Sequence, residues 1–127
     1  MRRNSDIIER CIDLTLEIVD ICKTLKKHHQ YEFASQVVRS ASSMGANLTE
    51  AQVARTKIEF GSINSIALRE ARETIYWLVV IGRLKIIPVE RIDKLRRETS
   101  EIANIIAAIV ISSKRSKGRG KEIINSH

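Results

Sequence analysis

The chain has 127 residues, a length that suits one domain built around one hydrophobic core. Hydrophobic residues make up 43% of it and aromatic residues only 4%, with one proline and five glycines, so the composition favours helix-on-helix packing over a turn-rich β-fold. The net charge is +7, and neither a signal peptide nor an apolar run of about 18 residues is apparent, so we expect no membrane association and a cytoplasmic location.

The first predicted helix spans about residues 6–28, and Asp6 and Glu9 are predicted to form a capping box at its start. Two adjacent apolar stripes follow the helical period and predict a wide buried face. The first stripe contains Ile7, Cys11, Leu14, Ile18, Ile21 and Leu25, and the second contains Ile8, Ile12, Val19 and Cys22. Because Cys11 and Cys22 are about 16 Å apart along this helix, we expect two free core cysteines and a reducing compartment.

The second predicted helix spans about residues 31–53 and contains the stretch QVVRSASSMGANLTEA, residues 36–51. Short or hydrogen-bonding side chains form a narrow row along it, flanked by small and apolar positions. The row contains Gln36, Arg39, Ser43, Asn47 and Glu50. Gly45 costs about 1 kcal/mol of helix stability relative to alanine, and close helix packing would offset this cost.

The third predicted helix spans residues 57–84, with Thr56 and Glu59 as a second capping box, and the fourth spans residues 88–113, with Pro88 in its first turn. Each carries one inner stripe. The stripe of the third helix contains Ile63, Ala67, Ala71, Thr74, Leu78 and Ile81, and that of the fourth contains Ile92, Leu95, Thr99, Ile102, Ile106 and Ile109. Four long helices joined by short links predict an all-α, antiparallel, up-down-up-down four-helix bundle over residues 1–113.

The second and third helices should form a hairpin, in which positions symmetric about residue 55 face each other. Arg39 should therefore meet Glu70 or Glu73 in a partly buried, bidentate pair. We predict a polar network that fixes helix register, made of Arg39, Ser43, Asn47, Glu50, Glu70 and Glu73. The alternative is a polar groove for a ligand or partner.

Catalysis has little support in the sequence. Glu-x-x-His, Cys-x-x-Cys, His-Glu-x-x-His and phosphate-loop motifs do not occur, so we expect no catalytic residue, no metal and no cofactor. His28 and His29 stand at a predicted helix end. The remaining enzyme hypothesis is a small dianion bound by Arg39, Arg69 and Arg72. Tyr76 and Trp77 could stack bases or dock a partner, although a tryptophan in an apolar run is typical of a core.

Basic residues are concentrated near the chain's end and at the start of the fourth helix. Residues 114–127 are predicted to be a disordered tail, with Lys114, Arg115, Lys117, Arg119 and Lys121 as candidate contacts to phosphate backbones. A second candidate patch contains Arg91, Lys94, Arg96 and Arg97, diluted by neighbouring acids. Both could instead be solvated surfaces that promote solubility.

The two central helices carry a recognisable pattern. Arg39, Ser40, Ser43, Asn47 and Glu50 fit the first motif. The second motif is matched by Ala67, Glu70, Ala71, Glu73, Thr74, Trp77 and Leu78. With these motifs the chain resembles the four-helix-bundle family named after proteins encoded in intervening sequences of bacterial large-subunit rRNA genes, over about residues 5–113.

That family is also similar to the accessory variability determinant of diversity-generating retroelements, a pentameric barrel of four-helix bundles that binds a reverse transcriptase and nucleic acid. The resemblance implies a homo-oligomer, specifically a homopentamer, that binds RNA or DNA and has no enzymatic activity. The alternative that it implies is a protein-interaction scaffold that docks a partner such as a reverse transcriptase without binding nucleic acid directly.

Overall fold

The computed structural model describes residues 3–125, and the side chains of residues 6–115. It contains four helices, α1 (Arg3–Lys27), α2 (Tyr31–Ala51), α3 (Lys57–Leu84) and α4 (Val89–Asn125). Every regular element between residues 3 and 125 is an α-helix, and consecutive helices pack against each other. The predicted all-α four-helix bundle is therefore confirmed.

Contacts between the helices define their antiparallel order. The start of α3 approaches the C-terminal half of α4 at Gly61 and Ser113, whereas the end of α3 approaches the start of α4 at Gly82 and Ile92. The bundle is closed by the interface between α1 and α4, which we call the α1–α4 seam, where Arg10 donates a hydrogen bond to Glu98. This α1–α4 seam is the least extensive of the helix interfaces.

The core runs continuously through all four helices, but it covers less of α1 than the sequence predicts. The first apolar stripe of α1 is buried, with Ile18, Ile21 and Leu25 fully enclosed. In the second stripe Cys22 is buried and Ile8 is partly buried, whereas Ile12 is 46% exposed and Val19 is 38% exposed. Because α1 contacts only α2 and α4, the bundle covers one arc of its surface and leaves the next arc open.

The inner stripe of α3 begins one residue later than predicted. Asn64 is 1% exposed, whereas Ile63 is only partly buried. Strict alternation of three and four residues through Ala67 and Ala71 leads back to position 64, so the periodicity outweighs the polarity of asparagine. The side-chain amide of Asn64 donates to the Phe60 carbonyl at 2.9 Å, which offsets the cost of burying it.

The helix starts differ in detail from the two predicted capping boxes. Asp6 does not cap α1 but lies in its first turn, where a carboxylate interacts favourably with the helix dipole. Thr56 caps α3 as predicted, since its hydroxyl accepts from the Glu59 amide at 3.0 Å. The Glu59 carboxylate, however, accepts from the amide of Arg55, one residue before the cap.

The end of α4 also differs from its predicted position. The helix continues to Asn125, through most of the segment for which the sequence predicts a disordered tail. Lysine and arginine are good helix formers and no proline follows Pro88, which allows the helix to continue, although Gly118 and Gly120 in this segment each disfavour a helix. Residues 126 and 127 lie outside the described part of the chain, as do the side chains of Lys117, Arg119 and Lys121.

Cys11 and Cys22 are free and buried, which leads to a test of the core. Burial raises the pKa of each thiol to about 11. With this pKa, only about one thiol in a thousand is ionised at pH 8. Because the thiolate is the reactive form, the native protein should react far more slowly with Ellman's reagent than the unfolded protein. Stopped-flow absorbance with and without guanidinium checks this. Rapid reaction of both native thiols would contradict the buried positions.

Candidate functional site

An ionic cluster joins α2 to α3 near the middle of the hairpin. The Arg39 guanidinium lies 3.3 Å from the Glu70 carboxylate and forms a second ion pair with Glu73. Glu73 also accepts from the Trp77 indole nitrogen at 3.2 Å. This is the pairing that the hairpin register predicts. Arg39 pairs with two carboxylates, however, whereas a bidentate pair with a single carboxylate was expected.

The cluster stands at the surface of the interface. Arg39 is 49% exposed and Glu70 is 16% exposed, so solvent screens the charges of the arginine more than those of its partner. Ion pairs in such settings contribute on the order of 0–1 kcal/mol. The cluster therefore orients the side chains of α2 and α3, and its contribution to the free energy of unfolding is small.

The remaining members of the predicted network do not extend this cluster across the interface. Asn47 donates to the Ser43 carbonyl at 2.8 Å and lies 3.2 Å from the Ser43 hydroxyl, both on α2. Glu50 is exposed near the end of the same helix. The predicted network thus divides into a cross-helix cluster and a separate Ser43–Asn47 pair, and Glu50 belongs to neither.

A buried hydroxyl pair replaces part of the network that the sequence predicts. The Thr74 hydroxyl lies 2.8 Å from the Ser40 hydroxyl on α2, and both side chains are fully buried. Sequence reasoning placed Thr74 on the inner stripe and Ser40 among the small positions, yet it missed their contact. The hairpin symmetry that pairs Arg39 with position 71 also places Ser40 opposite position 70. Thr74 is one helical turn from that position, so the symmetry could have indicated this contact.

The predicted basic patch on α4 is partly neutralised. Arg91 forms an ion pair with Asp20 of α1 at 2.7 Å, and its hydrogen bond lowers the pKa of the Asp20 carboxyl. Arg96 lies 3.7 Å from Asp93. Lys94 and Arg97 are exposed and have no ion-pair partner among the described side chains, as is also true of Lys114 and Arg115.

The α1–α4 seam has a second ionic contact that the sequence analysis did not single out. Arg10 donates to Glu98 at 2.7 Å and to Glu101 at 3.3 Å. The hydrogen bond to Glu98 raises the pKa of Arg10. Together with the Arg91–Asp20 pair, this contact brings charged side chains to the least extensive of the helix interfaces.

The arginines of the small-dianion hypothesis are not brought together in a shared pocket. Arg39 is held by its two carboxylates, whereas Arg69 and Arg72 are exposed on α3. His28 and His29 are exposed after α1. Among the side chains of residues 6–115, no group of three or more histidine, cysteine or acidic residues is placed to hold a metal ion. No helix of the described chain is long and apolar enough to cross a membrane.

The open arc of α1 forms an apolar surface beside α2. Ile12, Leu16 and Val19 follow one another at helical spacing, with Leu16 62% exposed, and we call them the apolar ridge. A groove of about 290 Å³ runs between α1 and α2, and Ile12 and Leu16 of the ridge form part of its α1 side. Small residues of α2 line it, namely Ser42, Gly45, Ala46 and Thr49.

Gly45 lines this groove at a point where α2 comes close to α1. A Cβ atom at position 45 would lie 3.3 Å from the Cys11 Cβ atom of α1, which is tighter than ordinary van der Waals contact. The glycine therefore permits close packing against α1, and this is the close helix packing that was expected to offset its cost to helix stability.

A second apolar groove lies between the start of α3 and residues 105–113 of α4. It measures about 600 Å³ and is lined in part by Phe60, Ile105 and Ile109. Ile105 is 40% exposed. The two grooves are on different helix pairs, so the bundle offers separate apolar surfaces.

Comparisons with known proteins agree on one relationship. The family model described as 23S rRNA-intervening sequence protein matches residues 3–108. The chain is also similar to a crystal structure from Bacteroides thetaiotaomicron VPI-5482, a protein with unknown function from the S23 ribosomal protein family. The two share 30% identity and a TM-score of 0.77, over 82% of this chain and 97% of the other. Comparison with curated proteins gives no match.

Proposed function

Since the chain belongs to the 23S rRNA-intervening sequence protein family, we propose that it is a non-catalytic, oligomeric bundle that associates with RNA or DNA through its basic surfaces. The observation that carries this proposal is a set of exposed cations without carboxylate partners among the described side chains. The set contains Arg69, Arg72, Arg83, Lys94, Arg97, Lys114 and Arg115.

Unpaired surface cations attract phosphate backbones because each neutralised phosphate releases condensed counterions. The net charge of +7 favours encounter with any polyanion. Lys114 and Arg115 continue in the sequence into Lys117, Arg119 and Lys121, which extends the basic character along the chain. These features support association with nucleic acid without specifying a base sequence.

Salt dependence tests this proposal. If about five phosphates are contacted, affinity for RNA should fall roughly a hundredfold between about 50 and 200 mM salt. Fluorescence anisotropy with several labelled RNAs measures the slope, and the same oligonucleotides in DNA form separate RNA from DNA binding. Flat titrations at low salt with every RNA and DNA would contradict the proposal.

Oligomerisation is supported by the apolar ridge and its neighbouring groove. The ridge presents long apolar side chains, and the small residues of α2 leave room for them. Because both parts are on this chain, a second copy is the occupant that fits, with the ridge of one copy seated in the groove of the next. The resemblance to the accessory variability determinant predicts five copies. Several copies would also gather the unpaired cations onto one larger surface.

The second candidate is a protein-interaction scaffold, and the α3–α4 groove favours it. This groove is apolar and separate from the ridge, so it stays open to a partner in an oligomer that uses α1 and α2. The resemblance suggests a reverse transcriptase as the partner. The test is binding of a purified reverse transcriptase after nuclease treatment. Binding that persists for the wild type and is lost in Ile105→Glu would favour this candidate, provided that the protein binds no free RNA.

A further inference from the structure

A row of arginines around one tyrosine occupies the exposed side of α3. Arg69, Arg72, Tyr76 and Arg83 follow at helical spacing, so they lie on one face, and we call them the arginine–tyrosine face. The four side chains are exposed, and Tyr76 is 60% exposed. From Arg69 to Arg83 the helix rises roughly 21 Å. The face lies opposite the buried stripe of the helix, so the bundle itself does not use it.

The positive charge of this face is not neutralised locally. Arg69, Arg72 and Arg83 have no ion-pair partner among the described side chains, unlike Arg91, which pairs with Asp20. The acids that are nearest in the helix, Glu70 and Glu73, are both engaged by Arg39 of α2. The ionic cluster thus draws these carboxylates toward α2 and leaves the arginines of the outer face available.

The tyrosine has a supported ring. Tyr76 meets the neighbouring Trp77 ring nearly edge to face, with centroids 5.0 Å apart and an interplanar angle of 74°. Trp77 in turn packs against Phe33 of α2 at 6.1 Å and donates to Glu73. An exposed aromatic ring held in this way offers a flat surface to a ligand without first having to be ordered.

Exposed cations flanking an aromatic ring match the chemistry of a single nucleic-acid strand. Guanidinium groups bind phosphates, while an unpaired base stacks on the aromatic ring. A duplex keeps its bases inside the helical stack, so it can use the arginines but not the ring. An acidic protein segment would likewise use only the arginines.

We infer that the arginine–tyrosine face binds single-stranded nucleic acid, with a base stacked on Tyr76 and the backbone along Arg69, Arg72 and Arg83. This inference rests on the proposed function and assigns to it a place and a substrate class. It differs from the predicted patch on α4, where Arg91 and Arg96 are already paired with acids.

The test compares Tyr76→Ala, Tyr76→Phe and wild type with a labelled single-stranded RNA of about 12 nucleotides and with a duplex of the same length. Tyr76→Ala should weaken single-strand binding by about 5-fold to 100-fold, and Tyr76→Phe should retain it, because the ring supplies the stacking. Duplex binding should be the same for all three proteins. Tyr31→Ala, which removes a tyrosine that is 57% exposed on α2, is the matched control and should bind like wild type.

Arg69→Gln and Arg72→Gln complete the test, and they should weaken both single-strand and duplex binding while lowering the salt slope. If wild type binds RNA but the Tyr76 and arginine variants bind equally well, the inference is overturned and the proposed function stands. If only the arginine variants bind less, the face contacts phosphates or acidic groups without stacking, and the inference is also overturned. If wild type binds no nucleic acid, both fail together. Circular dichroism establishes that each variant is folded.

Discussion

Leu16→Glu should convert the proposed oligomer into a monomer of about 14 kDa, the mass of one chain. Leu16 is the most exposed residue of the apolar ridge, at 62%, so the substitution leaves the core of the bundle intact. In the proposed interface, however, a carboxylate would be buried in an apolar groove without a partner. An unpaired buried charge costs several kcal/mol, which is enough to abolish an interface of ordinary size. Light scattering coupled to size exclusion measures the mass.

Val89→Glu is the matched control for this prediction. Val89 is 58% exposed, close to the value for Leu16, but it begins α4 at the far end of the bundle from the groove. This variant should keep the mass of the wild type. An unchanged mass for Leu16→Glu, or a monomeric wild type, would show that the ridge is not a contact between copies. The wild-type mass also reveals whether the proposed oligomer has the five copies that the resemblance predicts.

Ile81→Ala should lower the free energy of unfolding by about 2–5 kcal/mol. Ile81 is fully buried on the inner stripe of α3, so the substitution removes apolar contacts and leaves a cavity among the helices. Since native domains are stable by only about 5–15 kcal/mol, this single change removes a large share of the stability. Guanidinium denaturation followed by circular dichroism measures it at one fixed protein concentration, because association also stabilises the folded state.

Ile66→Ala provides the same substitution on the same helix at a position that is 44% exposed. It should change the free energy of unfolding by no more than about 0.5–1 kcal/mol, since fewer packing contacts are lost. Comparable losses for the two variants would mean that α3 faces the core with a different side than the structure shows.

The fold could be predicted from the sequence because apolar periodicity and short links leave few alternatives to a bundle. The Arg39 pairing could be predicted for a related reason. A short link fixes which positions of an antiparallel hairpin oppose each other, so Arg39 had to lie close to Glu70 and Glu73. Local spacing therefore determined both the architecture and one cross-helix contact.

The open surface of α1 could not be predicted in this way. The second stripe, with Ile12 and Val19, has the same residue types as the buried stripe beside it. Which arc is covered depends on how many helices surround α1 and at what angle, and a single helix does not encode that information. The sequence consequently predicted a wide buried face where the structure has an apolar ridge.

The basic patch on α4 was overestimated for a similar reason. Arg91 is paired with Asp20, which is distant in sequence and belongs to a helix that only the closed bundle brings near. The arginines of α3 were visible in the sequence, but Arg69 and Arg72 were considered only together with Arg39 as the site of a small dianion. Their availability became apparent only once Arg39 was seen to occupy Glu70 and Glu73.

The limited extent of the α1–α4 seam has a consequence for motion. Fluctuations of a folded protein begin where the fewest contacts must be broken, and α1 has the least extensive contact with the other helices. We therefore expect α1 to detach first, while α2, α3 and α4 remain together. Amide hydrogens of α1 would then exchange with solvent sooner than those of α3. A neighbouring copy seated on the apolar ridge would slow that exchange, so assembly would complete the folding of the helix that carries the contact.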